Sequence, residues 1–137
     1  MNDRPSAAEL IAAVRHFLEK ELAPAQADQR LRFGALIAAN VLGIAGRELA
    51  TEEAHLREEW AVLAGLLGDE GPAPERLAEL RAAVRDQNER LCAAIRAGEH
   101  DEPGRWRKLG QALAWLNVRK LEVANPRLLA AAQGRQA

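Results

Sequence analysis

A single cysteine, Cys92, leaves the chain nothing to pair with internally, so no disulfide can staple the fold. No Cys/His cluster shows zinc-ligand spacing either, and no metal or cofactor site is predicted. Tyrosine is absent and aromatics make up only 4% of the residues, so any core must be aliphatic and rich in Ala. Neither charge sign dominates: 19 basic residues face 20 acidic ones, a net charge of −1. Such a balance gives no field to gather DNA, RNA or an anionic membrane, so neither nucleic acid nor membrane is expected as a partner. No run approaches the ~20 uninterrupted apolar residues that a membrane span needs. The start, Met1-Asn2-Asp3-Arg4-Pro5, lacks the apolar stretch of a signal peptide. A reduced, cytoplasmic protein is the expectation. Alternation at period two is missing as well, which argues against a sheet.

What is present is helical. The 137 residues suit one domain, with about 1–4 and 130–137 expected as flexible ends. Ser6 and Glu9 read as a capping box, followed by Leu10, Val14, Phe17 and Leu18 at helical spacing, with Pro24 ending or bending the element. A second helix is predicted from about Asp28 to Leu49, with Phe33, Ile37, Val41 and Ile44 as its buried stripe. A third starts near Thr51, where Glu52 and Glu53 suit a first turn and Leu56, Trp60, Leu63 and Leu67 mark the inner side. The segment Gly68-Asp69-Glu70-Gly71-Pro72-Ala73-Pro74 is the clearest break. The fourth helix runs from about Pro74 to Ala97 and is closed by Gly98, and the fifth runs from near Pro103 to before Asn125-Pro126. The expected fold is all-α, an antiparallel bundle of four to five helices.

Several polar residues fall inside these apolar faces. Asn40 and Arg47 lie along helix two, Asn88 sits between Val84 and Leu91, and Lys120 continues the line of Leu109, Leu113 and Leu116. A buried amide or charge is costly unless it is paired. These residues therefore form an interhelical hydrogen-bond network or a ligand or partner site, or else they simply lie on the surface. Trp115 points away from that line, so helix five is either the central helix or carries an intermolecular surface. The cluster Arg105-Trp106-Arg107-Lys108 places cations where they oppose the helix dipole. It is either solvated surface or the seat of an anionic ligand. Cys92, at the edge of an apolar face, is expected to be a buried small hydrophobe.

Enzyme templates fail. Glu52-Glu53-Ala54-His55 holds one E-x-x-H without the second copy that a di-iron bundle needs, and there is no P-loop or G-x-S-x-G. No catalytic residues can be named, and the chain does not read as an enzyme.

Four stretches carry a family resemblance: Arg4–Leu10; Ile37-Ala38-Ala39-Asn40 with Arg47-Glu48-Leu49; Asn88-Glu89-Arg90-Leu91-Cys92 with Ile95-Arg96; and Lys120-Leu121-Glu122-Val123-Ala124-Asn125-Pro126. In order and spacing they resemble a family of small helical bacterial proteins labelled as a domain of unknown function. Its members are typically encoded beside an aminoglycoside-phosphotransferase-like kinase and an acyl-CoA dehydrogenase. In levulinate-type catabolism the kinase phosphorylates a 4-hydroxyacyl-CoA and the small protein is its required partner. The resemblance implies a non-catalytic accessory subunit in a hetero-complex with the kinase. Asn40, Arg47, Asn88 and Lys120 lie within the family-like stretches, and Asn125 joins them as a helix cap or a contact residue. The alternative expectation is a stand-alone binder of acyl-CoA or a small anion through Arg105, Trp106, Arg107 and Lys108. Homodimerisation is compatible with both.

Overall fold

The structure, a computed structural model, describes residues 4–134. Of the ends expected to be flexible, residues 1–3 and 135–137 lie outside the described part. The described residues form five helices and no strand, so the chain is all-α as its periodicities predict. Helix α1 is Ala7–Phe17, continued by a π-helical turn Leu18–Leu22 and a last turn Ala23–Ala25. Helix α2 is Gln29–Leu67, α3 is Leu77–Arg96, α4 is Pro103–Ala124 and α5 is Pro126–Gln133.

The start of α1 is closed by the predicted capping box. Ser6 Oγ accepts from the Glu9 amide at 3.3 Å, and the Ser6 amide donates to the Glu9 carboxylate at 2.6 Å. Pro24 acts one turn upstream of itself. A proline ring crowds the carbonyl four residues back and offers no N–H, and the backbone accommodates this by widening: the Ala23 amide bonds the Leu18 carbonyl, five residues earlier. The helix then ends at Ala25, where Gln26 turns extended.

The break predicted between Leu49 and Thr51 is absent, and α2 runs unbroken for 39 residues. No Gly or Pro interrupts 47–53. The Thr51 hydroxyl donates to the Arg47 carbonyl one turn back at 2.9 Å instead of capping a new helix. The acidic pair that suggests a helix start is used sideways: Glu52 pairs with Arg81, and Glu53 pairs with Arg57 at 2.7 Å.

Two compact units emerge. One comprises the residues through Thr51 together with Val123–Asn125, and the other comprises Glu52–Glu122 together with the residues from Pro126 on. In the first unit, α1 packs antiparallel on the opening part of α2 through small residues. Ala35, Ala39 and Gly43 of α2 are buried. A Cβ on Gly43 would stand 3.3 Å from the Arg15 guanidinium carbon, and one on Gly46 would stand 3.4 Å from Ile11 Cγ2. The stripe expected to be inside therefore faces out. Phe33 is 65% exposed, and Ile37 and Val41 are also exposed, while Ile44 is half-buried. On α1, Leu10, Val14 and Phe17 are exposed, and Ile11, Leu18 and Leu22 turn inward. Two helices bury one seam each, and the Ala/Gly seam, which permits the closer approach, is the one that closes.

The second unit has a conventional core. Leu63, Leu80, Val84, Leu91, Leu109 and Leu116 are buried together, flanked by Leu56, Trp60, Ile95 and Trp115 among others. Here the sequence stripes of α2's second part and of α3 do point inward. Both helices close in the same way: Gly68 (φ +73°) and Gly98 (φ +79°) adopt the left-handed conformation, and the next amides, Asp69 and Glu99, bond the carbonyls of Ala64 and Ala94 at 3.0 and 3.1 Å. Leu80 is fully buried, so Leu80→Ala is expected to lower unfolding stability by about 2–5 kcal/mol, read as a lower urea midpoint followed by Trp fluorescence.

Candidate functional site

The polar residues singled out from the sequence divide between the two units. In the first, Arg47 donates from Nε to the Val123 carbonyl at 2.6 Å, so a cation satisfies an orphan acceptor at the C-terminal end of α4. Asn125 follows immediately, exposed, between α4 and α5. Asn40 is a correction: it shares the outward side of α2 with Phe33, Ile37 and Val41 and is exposed rather than buried. Since the Ala/Gly seam takes the inside, whatever lies on the Phe/Ile stripe meets solvent.

In the second unit, Asn88 and Lys120 do meet, through a residue that the sequence patterns do not single out. Glu59 accepts from Asn88 Nδ2 at 3.0 Å and lies 3.9 Å from Lys120 Nζ. Asn88 also donates to the Val84 carbonyl at 2.9 Å. Lys120 itself is a second correction, with its side chain 64% exposed. The buried line of α4 runs through Leu109 and Leu116 to Val123, and Leu113, on which the extrapolation to Lys120 depends, is exposed. Around this pair the charges alternate: Arg119 bonds Glu122 and lies 3.1 Å from Glu58, and His55 Nε2 lies 3.7 Å from Glu122. The Glu122 carboxylate beside it, then the charge of Glu58, holds Arg119 above the usual guanidinium range. Glu52 is held below the usual carboxylate range, chiefly by its bonds from Arg81. Such lattices of half-exposed ion pairs fix helix register more than they add stability.

Trp115 is not a free surface residue. It packs against the Leu core, with the Arg119 guanidinium 5.0 Å from its ring centroid. Its isolation on the helical wheel reflects a broad buried side of α4 that takes in 115, 116, 119 and 123. Cys92, expected inside, is exposed. The buried polar residue of α3 is Gln87, on the line Leu80, Val84, Gln87, Leu91 with steps of four, three and four. That spacing is visible in the sequence, and taking Asn88 as the centre of the stripe obscures it. Gln87 donates to Asp69 at 3.2 Å, and Arg90 grips the same carboxylate at 2.6 and 2.9 Å.

The cluster 105–108 is split by its own helix. Arg105 and Lys108, three apart, line one pocket with His100, and Trp106 and Arg107 do not. Trp106 is 61% exposed, and among the described residues no cation lies over its ring. Among the described residues, no group of three or more His, Cys, Asp or Glu is placed to hold a metal ion. By length and composition alone α2 is long and apolar enough to cross a membrane, as the core helices of soluble proteins can also be.

A sequence profile for a domain of unknown function, DUF6285, matches residues 24–128. The chain belongs to that family. Against curated proteins and solved structures it has no match. The matched span of this DUF6285 chain begins at Pro24 and takes in all of α2, α3 and α4, so the outward stripe, the Glu59 pair and the pocket all fall inside it.

Two measurements probe these polar contacts. A double-mutant cycle of Glu59→Ala and Asn88→Ala is expected to give a coupling of about 0.5–1.5 kcal/mol in urea denaturation. Asp69 gives a pH signature. Hydrogen bonds from Arg90 and then Gln87 hold its carboxyl below the ordinary aspartate value. The folded state thus binds the proton less readily than the unfolded chain, and the stabilisation is complete above the ordinary value of about 3.9 and lost as pH falls through the lowered one. Asp69→Asn is expected to be less stable than the parent at neutral pH, with the gap in denaturation midpoint closing on acidification.

Proposed function

We propose that this chain is a non-catalytic accessory subunit that docks on an aminoglycoside-phosphotransferase-like kinase acting on a hydroxyacyl-CoA. The supporting observation is the outward stripe of α2. Phe33, Ile37 and Val41 stand at successive turns of one helix, all exposed, with Leu36 alongside. Large apolar side chains displayed at this spacing are the anchors by which a helix lies in a partner's groove. Leu10, Val14 and Phe17 add further exposed apolar area on α1. Exposed large apolar side chains grouped on a surface are a mark of interaction sites. Trp115, offered by the sequence as a contact residue, is drawn into the core of its unit. The stripe takes its place in the reading. The kinase as partner comes from the family resemblance, and the lack of a phosphate-cradling loop in this chain suits an accessory role.

Co-expression with the neighbouring kinase, followed by pull-down and an assay on hydroxyacyl-CoA, tests the proposal. A stable complex whose activity needs both chains is expected. Ile37→Asp should abolish the complex and, because Ile37 is exposed, leave the stability of the isolated chain within about 0.5 kcal/mol of the parent. A kinase fully active alone, with no complex formed, removes the basis of the reading.

A further inference from the structure

Where α2 ends and α4 begins, the second unit carries a pocket of about 380 Å³. Gly65 and Gly68 line it with bare backbone, and a Cβ added at either would meet nothing within 4 Å. Glu99, His100, Arg105 and Lys108 complete the polar lining. The volume falls in the range of small-molecule sites.

The chemistry of the lining is specific. Arg105 commits only Nη1, to the Glu99 carbonyl at 3.1 Å, and the rest of its fork makes no hydrogen bond among the described residues. Lys108 makes no direct contact with a carboxylate among them, although its charge and that of Arg105 act on nearby Glu102. His100 is only 7% exposed, and its Nδ1 has no hydrogen-bond partner. That nitrogen is itself shut off from solvent, so His100 meets the pocket through the rest of its ring, as a rigid, closely held part of the wall. Two carboxylates bear on the site. Glu102 is bound to the Gly104 and Arg105 amides at 3.0 Å each, so the helix N-terminus is already capped, and Glu99 stands in the wall. A monoanion gains little against that opposition. A dianion with several acceptor oxygens matches a guanidinium fork, an ammonium and an imidazole together.

We infer that this pocket binds the phosphate group of a small phosphorylated molecule through Arg105, Lys108 and His100. The pocket shares no residue with the α2 stripe, and the inference does not depend on docking there. Trp106 and Arg107, outside the pocket, take no part, so no stacked base is required.

The intact chain is titrated with inorganic phosphate and with pyrophosphate at constant ionic strength, followed by amide and imidazole NMR shifts. Saturable shifts confined to Gly65, Gly68, His100 and Arg105 are expected. Lys108→Gln should weaken the apparent Kd about tenfold, the scale of one charged hydrogen bond, and Arg107→Gln should leave it unchanged. Absence of saturation up to about 10 mM, a tenfold margin over a millimolar site, overturns the inference. Equal weakening by Arg107→Gln overturns it too, because that is the mark of diffuse surface charge.

Discussion

Close approach between α1 and the Ala35–Ala39–Gly43 side of α2 governs the first unit. Only one side of α2 can face α1, and α2 offers two apolar sides in this stretch. The side with the smaller residues lets the two backbones come near, so dispersion attraction there comes from main chain and short side chains along the whole seam. Everything else about the unit follows from that choice. The larger residues are turned outward, Asn40 goes with them, and the unit presents large apolar side chains to its surroundings while concealing small ones.

The second unit obeys the opposite logic. Its seams are built from Leu and Val, its helix ends are closed by left-handed glycines, and its polar residues are paired across helices through Glu59, Asp69 and Glu122. Asp69 serves in two ways at once. Its backbone amide helps close α2, while its side chain holds Gln87 and Arg90 of α3. Removing large side chains here opens cavities, whereas the outward residues of the first unit can change with little effect on folding.

The helical class, the long break after Leu67, the Gly98 closure and the inner faces of α3 and of α2's later part are readable in the sequence, because each is a local or single-helix property. What stays hidden depends on comparing two candidates. Periodicity shows that Phe33, Ile37 and Val41 share a side, and it shows the same for Ala35, Ala39 and Gly43. It does not say which side a neighbour takes, and hydrophobicity alone chooses wrongly. The start expected near Thr51 misleads for a related reason: two acidic residues suit a first turn, yet inside a helix they pair sideways and the Thr51 hydroxyl donates backwards. Among the site residues, Asn88 and Lys120 do belong together, but their common partner Glu59 is inconspicuous because a charged residue beside Trp60 looks like ordinary surface. His100 looks isolated along the chain. Its neighbours in space come from the ends of two helices, and no spacing rule brings them together.

The placement of the three tryptophans has a practical consequence. Trp60 and Trp115 belong to the Leu core and Trp106 stands exposed on α4, so all three lie in the second unit. The first unit contains only Phe17 and Phe33 as aromatics, and tyrosine is absent throughout. Intrinsic emission is therefore blind to the hairpin that carries the outward stripe. Its order has to be followed by backbone ellipticity or by a label placed on it, and a fluorescence melt with a single transition speaks only for the residues around the tryptophans.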